Sequence, residues 1–203
     1  MTSQFTARNY KPLEIVHFTV RGNKKRVIFH DGNDHEQFLG GFRNLLDGIN
    51  DPYTPTLLAY AQMPNHQHIL LKLGEDPLAG PRLIRSISTS YAIAYNRRNH
   101  RRGKVFQRPF RGRIVRGADH LVNTFAYIHL NPDSSLRVDN SSHGFYAGLR
   151  EDPHIDPTLA WQAFGGRAGY LEFFNDMSRI RVARAAARAA LDQQNNTNLS
   201  SLG

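Results

Sequence analysis

Met63-Pro64-Asn65-His66-Gln67-His68-Ile69-Leu70-Leu71 puts two imidazoles two residues apart at the mouth of an apolar run. Read as a strand, the run alternates its side chains between faces. His66 and His68 then point one way, and Gln67 shares the other face with Ile69 and Leu71. Two imidazoles on one face make half of a metal site. The tight turn Met63-Pro64-Asn65 joins this strand to the apolar stretch Thr56–Gln62, which predicts an antiparallel hairpin.

The N-terminal side supplies further elements. Leu13–Val20 alternates as a strand, with Val16, Phe18 and Val20 on one face and Ile15, His17 and Thr19 on the other. After the turn Arg21-Gly22-Asn23-Lys24, a short second strand is expected at Arg26–Phe29. Phe38, Phe42, Leu45, Leu46 and Ile49 recur at helical spacing, so Asp34–Gly48 reads as an amphipathic helix. On the C-terminal side, Leu83–Arg98 reads as a helix with Ile84, Ile87, Tyr91, Ala94 and Tyr95 on one face. Lys104–Gln107 and Arg111–Arg116 read as the strands of a basic hairpin. The order strand, helix, strand, strand, helix, strand predicts an α+β fold: a ferredoxin-like antiparallel sheet with helices packed on one side.

The next helix, capped by Asp119 and stopped by Pro132, carries the search for the rest of the site. At 100° per residue, Leu121, Val122, Phe125 and Ile128 share one side, while Asn123, Tyr127 and Asn131 share the opposite side, one turn apart. Such a stripe is either a solvated face with a half-exposed tyrosine or part of a site. An amide oxygen one turn from a tyrosine can be a third metal ligand, so His66, His68 and Asn131 form a candidate set for a divalent ion, leaving positions for phosphate and water.

Bulk properties narrow the function. No apolar run approaches the ~18 residues of a membrane span, and the N-terminus lacks a secretory pattern, so a cytoplasmic location without membrane contact is expected. The chain has no cysteine, which excludes disulfides, thiolate metal sites and cysteine nucleophiles. With 26 Lys and Arg against 17 Asp and Glu, net charge +9 and pI near 10.2, a polyanionic partner is favoured, nucleic acid first. Arg97, Arg98, Arg101, Arg102, Lys104, Arg108, Arg111, Arg113 and Arg116 follow one another without an intervening carboxylate, and with Arg21 they form the candidate DNA-binding set. A second cluster, Arg179, Arg181, Arg184 and Arg188, lies in an Ala-rich stretch near the C-terminus. Beyond Asp133 the chain is loop-rich, with helices expected near Pro157–Phe164 and from Tyr170 to about Ala190, and a polar tail after that.

Several of these stretches resemble one family. His66-Gln67-His68 in its context resembles the His–hydrophobic–His signature of the single-tyrosine HUH transposases. Tyr127-Ile128-His129-Leu130-Asn131-Pro132 resembles their tyrosine helix. His17-Phe18-Thr19-Val20-Arg21-Gly22-Asn23 resembles their first strand and turn, and Gly103-Lys104-Val105-Phe106-Gln107-Arg108-Pro109-Phe110-Arg111 their basic segment. Ser141–Leu149, Phe164-Gly165 and Tyr170–Phe174 look like the extension of the REP-associated tyrosine transposases. The resemblance covers roughly residues 10 to 175. It implies a domain over 10–133 followed by a C-terminal helical extension over 134–190, while the polar composition of 191–203 suggests a disordered tail. It also implies attack by Tyr127 on single-stranded DNA beside a hairpin, a 5′-phosphotyrosine intermediate, and Mg²⁺ or Mn²⁺ on His66, His68 and Asn131. The chain would act as a monomer or a homodimer. Gln67 departs from the pattern, in which that position is hydrophobic.

The rival residues and functions are specific. Tyr91 and Tyr95 are four apart but share a face with Ile84 and Ile87, so they read as core. Phe106 and Phe110 are available for base stacking, yet core packing in a hairpin is the stronger reading. His17 either approaches the site or is a satisfied structural histidine, the second being favoured, and His129 lies on the apolar side of its helix. The alternatives to a transposase are a hairpin-binding protein without catalysis, a replication initiator or relaxase, and a His-x-His metallohydrolase. The barrel that usually hosts the last needs a longer chain.

Overall fold

The computed structural model describes residues 9–46, 51–107, 109–132 and 138–200 of the 203-residue chain, with side chains as far as residue 189. The elements are β1 (Ile15–Arg21), α1 (Gly32–Leu46), β2 (Thr56–Met63), β3 (His66–Lys72), α2 (Ala79–Arg98), β4 (Arg111–Val115), α3 (Gly117–Leu130), α4 (His143–Tyr146), α5 (Thr158–Phe164) and α6 (Arg167–Ser200). The four strands form an antiparallel sheet in the order β2-β3-β1-β4. With α1 and α2 as the two connections, this is the ferredoxin-like arrangement. Among the described residues no helix is long and apolar enough to cross a membrane.

Strand alternation decides which residues reach which face. In the β1–β3 register Val16 pairs with Leu71, Phe18 with Ile69 and Val20 with Gln67. These side chains share a face, and α1 and α2 cover it. A Cβ at Gly80 of α2 would lie 2.5 Å from the Leu73 side chain and 3.8 Å from Phe18, so any larger residue would have to displace Leu73 for the helix to seat this close to the sheet. Phe38 of α1 meets Tyr91 at 5.5 Å and Phe106 at 6.2 Å between ring centroids. Each fully buried Phe or Leu here contributes about 1.5–3 kcal/mol. Tyr91 and Tyr95 are both buried, with their hydroxyls on Ile28 O and His30 Nε2, so the core reading of that pair is right.

The intervening residues, His17 with Leu70, Thr19 with His68 and Arg21 with His66, face the other way. Helix α3 lies across this second face, so one-sided helix packing describes the ferredoxin-like core but not the whole chain. Its buried residues are Leu121, Thr124, Phe125, Ala126, Ile128, His129 and Leu130, while Asn123 and Tyr127 are exposed. The helix begins at Gly117 rather than at an Asp119 cap. Asp119 sits within the first turn, where a carboxylate favours the helix dipole.

Two expected strands are absent. Arg26–Phe29 has no ladder; instead the Ile28 and Phe29 amides both donate to Pro64 O, at 2.8 and 3.0 Å. Lys104–Gln107 does not pair with β4. Phe106 bridges to Gly22 and the Gln107 amide donates to Arg21 O at 2.7 Å, while β4 takes the open edge of β1.

The C-terminal extension completes the body. Asn140 O accepts from the Gln62 amide at 2.8 Å, the Ser142 amide donates to Tyr60 O at 3.0 Å, and the Asp156 amide donates to Leu57 O at 3.0 Å. Together they cover the outer edge of β2, which would otherwise be an open template for pairing. Behind α3, His129 Nε2 lies 2.7 Å from Ser142 Oγ, and Tyr170 OH lies 2.9 Å from His129 Nδ1 and 2.7 Å from His143 Nδ1. The helix continues through Ser200, past residue 190 where the sequence suggests a disordered tail. No Gly or Pro interrupts positions 167 to 200 other than Gly169 in its first turn, and the Ala-rich middle favours helix.

Candidate functional site

The hairpin, β1 and α3 converge on one cluster. The His66 and His68 rings are 5.1 Å apart between centroids, as strand alternation predicts. The Tyr127 ring stands 5.1 Å from His68 and 5.9 Å from His17, edge-on to both. One turn further along α3, the Asn131 amide nitrogen lies 3.3 Å from His68 Nε2. The polar stripe of α3 is therefore the face that meets the histidines. Tyr127 remains 55% exposed, so solvent reaches it, while the histidines beneath are more sheltered.

The hydrogen-bond partners favour one tautomer of each ring. His66 Nδ1 is 2.6 Å from Asn65 Oδ1, an acceptor, so Nδ1 carries the hydrogen and Nε2 keeps its lone pair. Asn65 is itself held through its amide nitrogen, which donates to Lys25 O at 3.2 Å. His68 Nε2 accepts from the Asn131 amide, so Nδ1 carries the hydrogen there too. His68 Nδ1 lies 2.8 Å from His17 Nε2 and 3.3 Å from Thr19 Oγ1. Both signature histidines thus have Nδ1 anchored and Nε2 left with its lone pair, the arrangement that orients metal-ligating imidazoles.

Electrostatics agree. Burial, reinforced by Arg21, lowers the His66 pKa to about 4. Burial, with His17, His66 and Arg21 around it, lowers that of His68 to about 2. Burial and the nearby Arg113 and His120 lower that of His17 to about 4. Near neutral pH the three rings are uncharged, the state a metal ligand needs.

Among the described residues no group of three or more His, Cys, Asp or Glu side chains is gathered to hold a metal ion. A site here needs a third donor of another kind, and the Asn131 amide fits. The amide sits 3.3 Å from His68 Nε2, near enough for the two groups to serve one ion. Rotating the amide by 180° presents Oδ1 instead of Nδ2 to a cation.

A cavity of about 740 Å³ opens beside the cluster. His17, Thr19, His68 and Tyr127 line it together with Arg111 and Arg113 of β4, Arg21 and Lys25. Of the basic residues singled out in sequence, Arg21, Arg111 and Arg113 line it. Arg97 and Arg98 end α2 on the other face of the sheet, and Arg98 is paired with the buried Asp34 carboxylate, a structural contact. Arg101, Arg102, Lys104 and Arg116 are exposed outside the cavity lining, and Arg108 lies outside the described residues.

Sequence reading passes over Lys25, Thr19 and His120, all of which line the cavity. It favours a structural role for His17, whose hydrogen bond to His68 both satisfies the ring and brings it to the cluster. Thr19 was findable, because it shares the His17 face of β1. Phe106 is core as expected, and Phe110 packs on Phe18 at 5.8 Å while also lining the cavity. His129, set aside as a ligand, is fully buried behind α3.

No family model and no curated protein matches the chain. Among solved structures, that of a REP-associated tyrosine transposase bound to a REP hairpin is similar, with a TM-score of 0.57 and 14% identity over 77% of this chain and 98% of that one. The likeness extends over nearly all of that protein and establishes a shared fold.

Proposed function

We propose that this chain is a metal-dependent nicking and joining enzyme for single-stranded DNA, a transposase of the single-tyrosine HUH type acting beside DNA hairpins such as REP elements. The observation that carries the reading is the meeting of an exposed Tyr127 with His68 and Asn131 at a cavity walled by arginines. The fold shared with a hairpin-bound transposase supports it.

Arg21, Arg111, Arg113 and Lys25 hold the phosphate backbone at the cavity, positioning the strand without reading its bases. Tyr127 Oη attacks phosphorus, the bond to the 3′ oxygen breaks, and a tyrosine–5′-phosphate ester forms. The phenol loses its proton to solvent or a neighbouring base, and the departing 3′ oxygen takes one up. Phenol is a weak nucleophile at neutral pH, so the phosphate must be polarised. His66 Nε2, His68 Nε2 and Asn131 Oδ1 would hold Mg²⁺ or Mn²⁺, which would supply that polarisation and charge stabilisation for the leaving oxygen. Because the ester keeps the energy of the phosphodiester, attack by another 3′-OH rejoins strands.

The test is a hairpin DNA with a single-stranded flank, incubated with Mg²⁺ or Mn²⁺ and run on a denaturing gel. A covalent adduct is expected that vanishes in Tyr127→Phe and weakens strongly in His66→Ala. An adduct that persists in Tyr127→Phe assigns the wrong nucleophile. Cleavage without any adduct points to water as the attacking group, and binding without cleavage to a hairpin-binding protein.

A further inference from the structure

The second arginine cluster remains without a role in this scheme. Helix α6 divides into two parts. Its first turns are docked, with Tyr170 and Phe174 buried against the extension and His143 stacked on Phe174 at 4.1 Å. From Arg179 to Ala189 every residue is exposed. The body of the protein does not shelter this segment, and an isolated helix of such length is marginal in water without a partner.

Its composition names the partner's charge. Positions 179 to 190 hold Arg179, Arg181, Arg184 and Arg188, no carboxylate, six alanines, and the exposed Ile180 and Val182. Arg179 pairs with Asp176 at 3.6 Å. Arg181, Arg184 and Arg188 make no ion pair among the described residues. At spacings of three and four they lie on one face, spanning ~10 Å along the axis. That equals the axial rise of about three successive phosphates on one strand of a duplex. The alanines leave the helix slim enough to approach a groove. A second copy of the chain is the weaker occupant. The apolar line Phe173, Met177, Ile180 runs into Arg184 at its next position, which interrupts a helix–helix seam.

We infer that the free part of α6 is an arm that grips double-stranded DNA, namely the paired stem of the hairpin, while the cavity takes the single strand. The inference rests on the proposed DNA-processing role. The three arginines would neutralise stem phosphates outside the nicking site, so the arm sets affinity for the structured substrate rather than chemistry.

The experiment uses the full chain and its Arg181→Gln/Arg184→Gln/Arg188→Gln variant, glutamine keeping length and helix propensity. Fluorescence anisotropy measures binding of a labelled DNA hairpin and of an unpaired oligonucleotide of equal length, from about 50 to about 200 mM salt. The variant should lose ~10-fold or more in hairpin affinity, and its plot of log affinity against log salt should be shallower by about 2–3. Its affinity for the unpaired strand should stay within about twofold, with the circular dichroism spectrum unchanged. Equal hairpin affinity and slope in both proteins overturns the arm alone. If the wild-type chain binds neither DNA, the proposed function falls along with the arm. If the wild-type chain sediments as a dimer and the variant as a monomer, the face belongs to a second copy and the inference is wrong.

Discussion

His17 Nε2 lies 2.8 Å from His68 Nδ1, across neighbouring strands and directly behind the candidate metal ligand. The contact holds the His68 ring with Nε2 facing Asn131. Removing such a supporting partner typically weakens metal binding by ~10- to 100-fold. His17→Phe should therefore bind Mn²⁺ that much more weakly by titration calorimetry or electron paramagnetic resonance. His17→Gln, which retains an acceptor, should recover part of the loss. Unchanged Mn²⁺ affinity in His17→Phe would show that Thr19 alone suffices to orient His68.

Gln67 carries a different cost. It is fully buried on the face covered by α1 and α2, and neither end of its amide has a protein hydrogen-bond partner. Its cross-strand neighbour Gln62 also has an unpaired amide oxygen, as does the ring of His35 a polar nitrogen, Nδ1. An unsatisfied buried polar group costs about 1–3 kcal/mol. Gln67→Leu should raise the urea midpoint by a corresponding amount and leave Mn²⁺ binding intact, because the ligands face the other way. A lower midpoint would mean that buried water already satisfies the amide.

Acid should destabilise the metal-free chain early. His17 and His66 have folded pKa values lowered to about 4, and His68 to about 2. Above the unfolded value near 6.5 both states are neutral and these groups contribute nothing to the pH dependence. Below it the unfolded chain takes up protons that the folded chain refuses, so stability falls as the pH drops from 6.5 towards 4. Each fully neutral group costs at most ~1.4 kcal/mol per pH unit, and the partly exposed His66 less because solvent screens it. Urea unfolding with a chelator at pH 7.5, 5.5 and 4.5 checks this. His68→Ala should flatten the slope, and a stability independent of pH across that range would contradict the burial of these rings.

The parts of the site that sequence reveals are those set by a single element's geometry. Alternation alone aligned His66 with His68 and turned Gln67 away. The 100° projection alone put Tyr127 and Asn131 on one stripe. What sequence did not reveal depends on which segments meet. Arg26–Phe29 has strand-like composition but joins no ladder, its Ile28 and Phe29 amides going to the Pro64 carbonyl. Residues 104–107 lose their expected partner because β4 takes the free edge of β1. Arg98 looked like part of a DNA surface, yet its partner Asp34 is 64 positions away in the chain. His17 is the clearest case. Its face was evident, but its contact with His68 needed the register between β1 and β3.

The extension offers the last test, because it is joined to the tyrosine helix by a buried hydrogen-bonded chain. Tyr170 OH contacts both His129 Nδ1 and His143 Nδ1, and His129 Nε2 reaches Ser142 Oγ. Ser142 Oγ in turn accepts from the Tyr60 amide of β2 at 2.9 Å. All four of these side chains, Ser142, His129, Tyr170 and His143, are buried, so deleting one hydroxyl removes hydrogen bonds made in a region closed to water. Tyr170→Phe should cost about 1–3 kcal/mol, read as a lower urea midpoint. His129 lies two residues from both Tyr127 and Asn131, so the same variant should also loosen α3, seen as faster hydrogen exchange across Gly117–Leu130 than in an equally destabilised variant of the α1–α2 core such as Ile87→Val. If exchange in α3 rises no more than in that control, the chain of hydrogen bonds stabilises the fold without specifically holding the tyrosine helix.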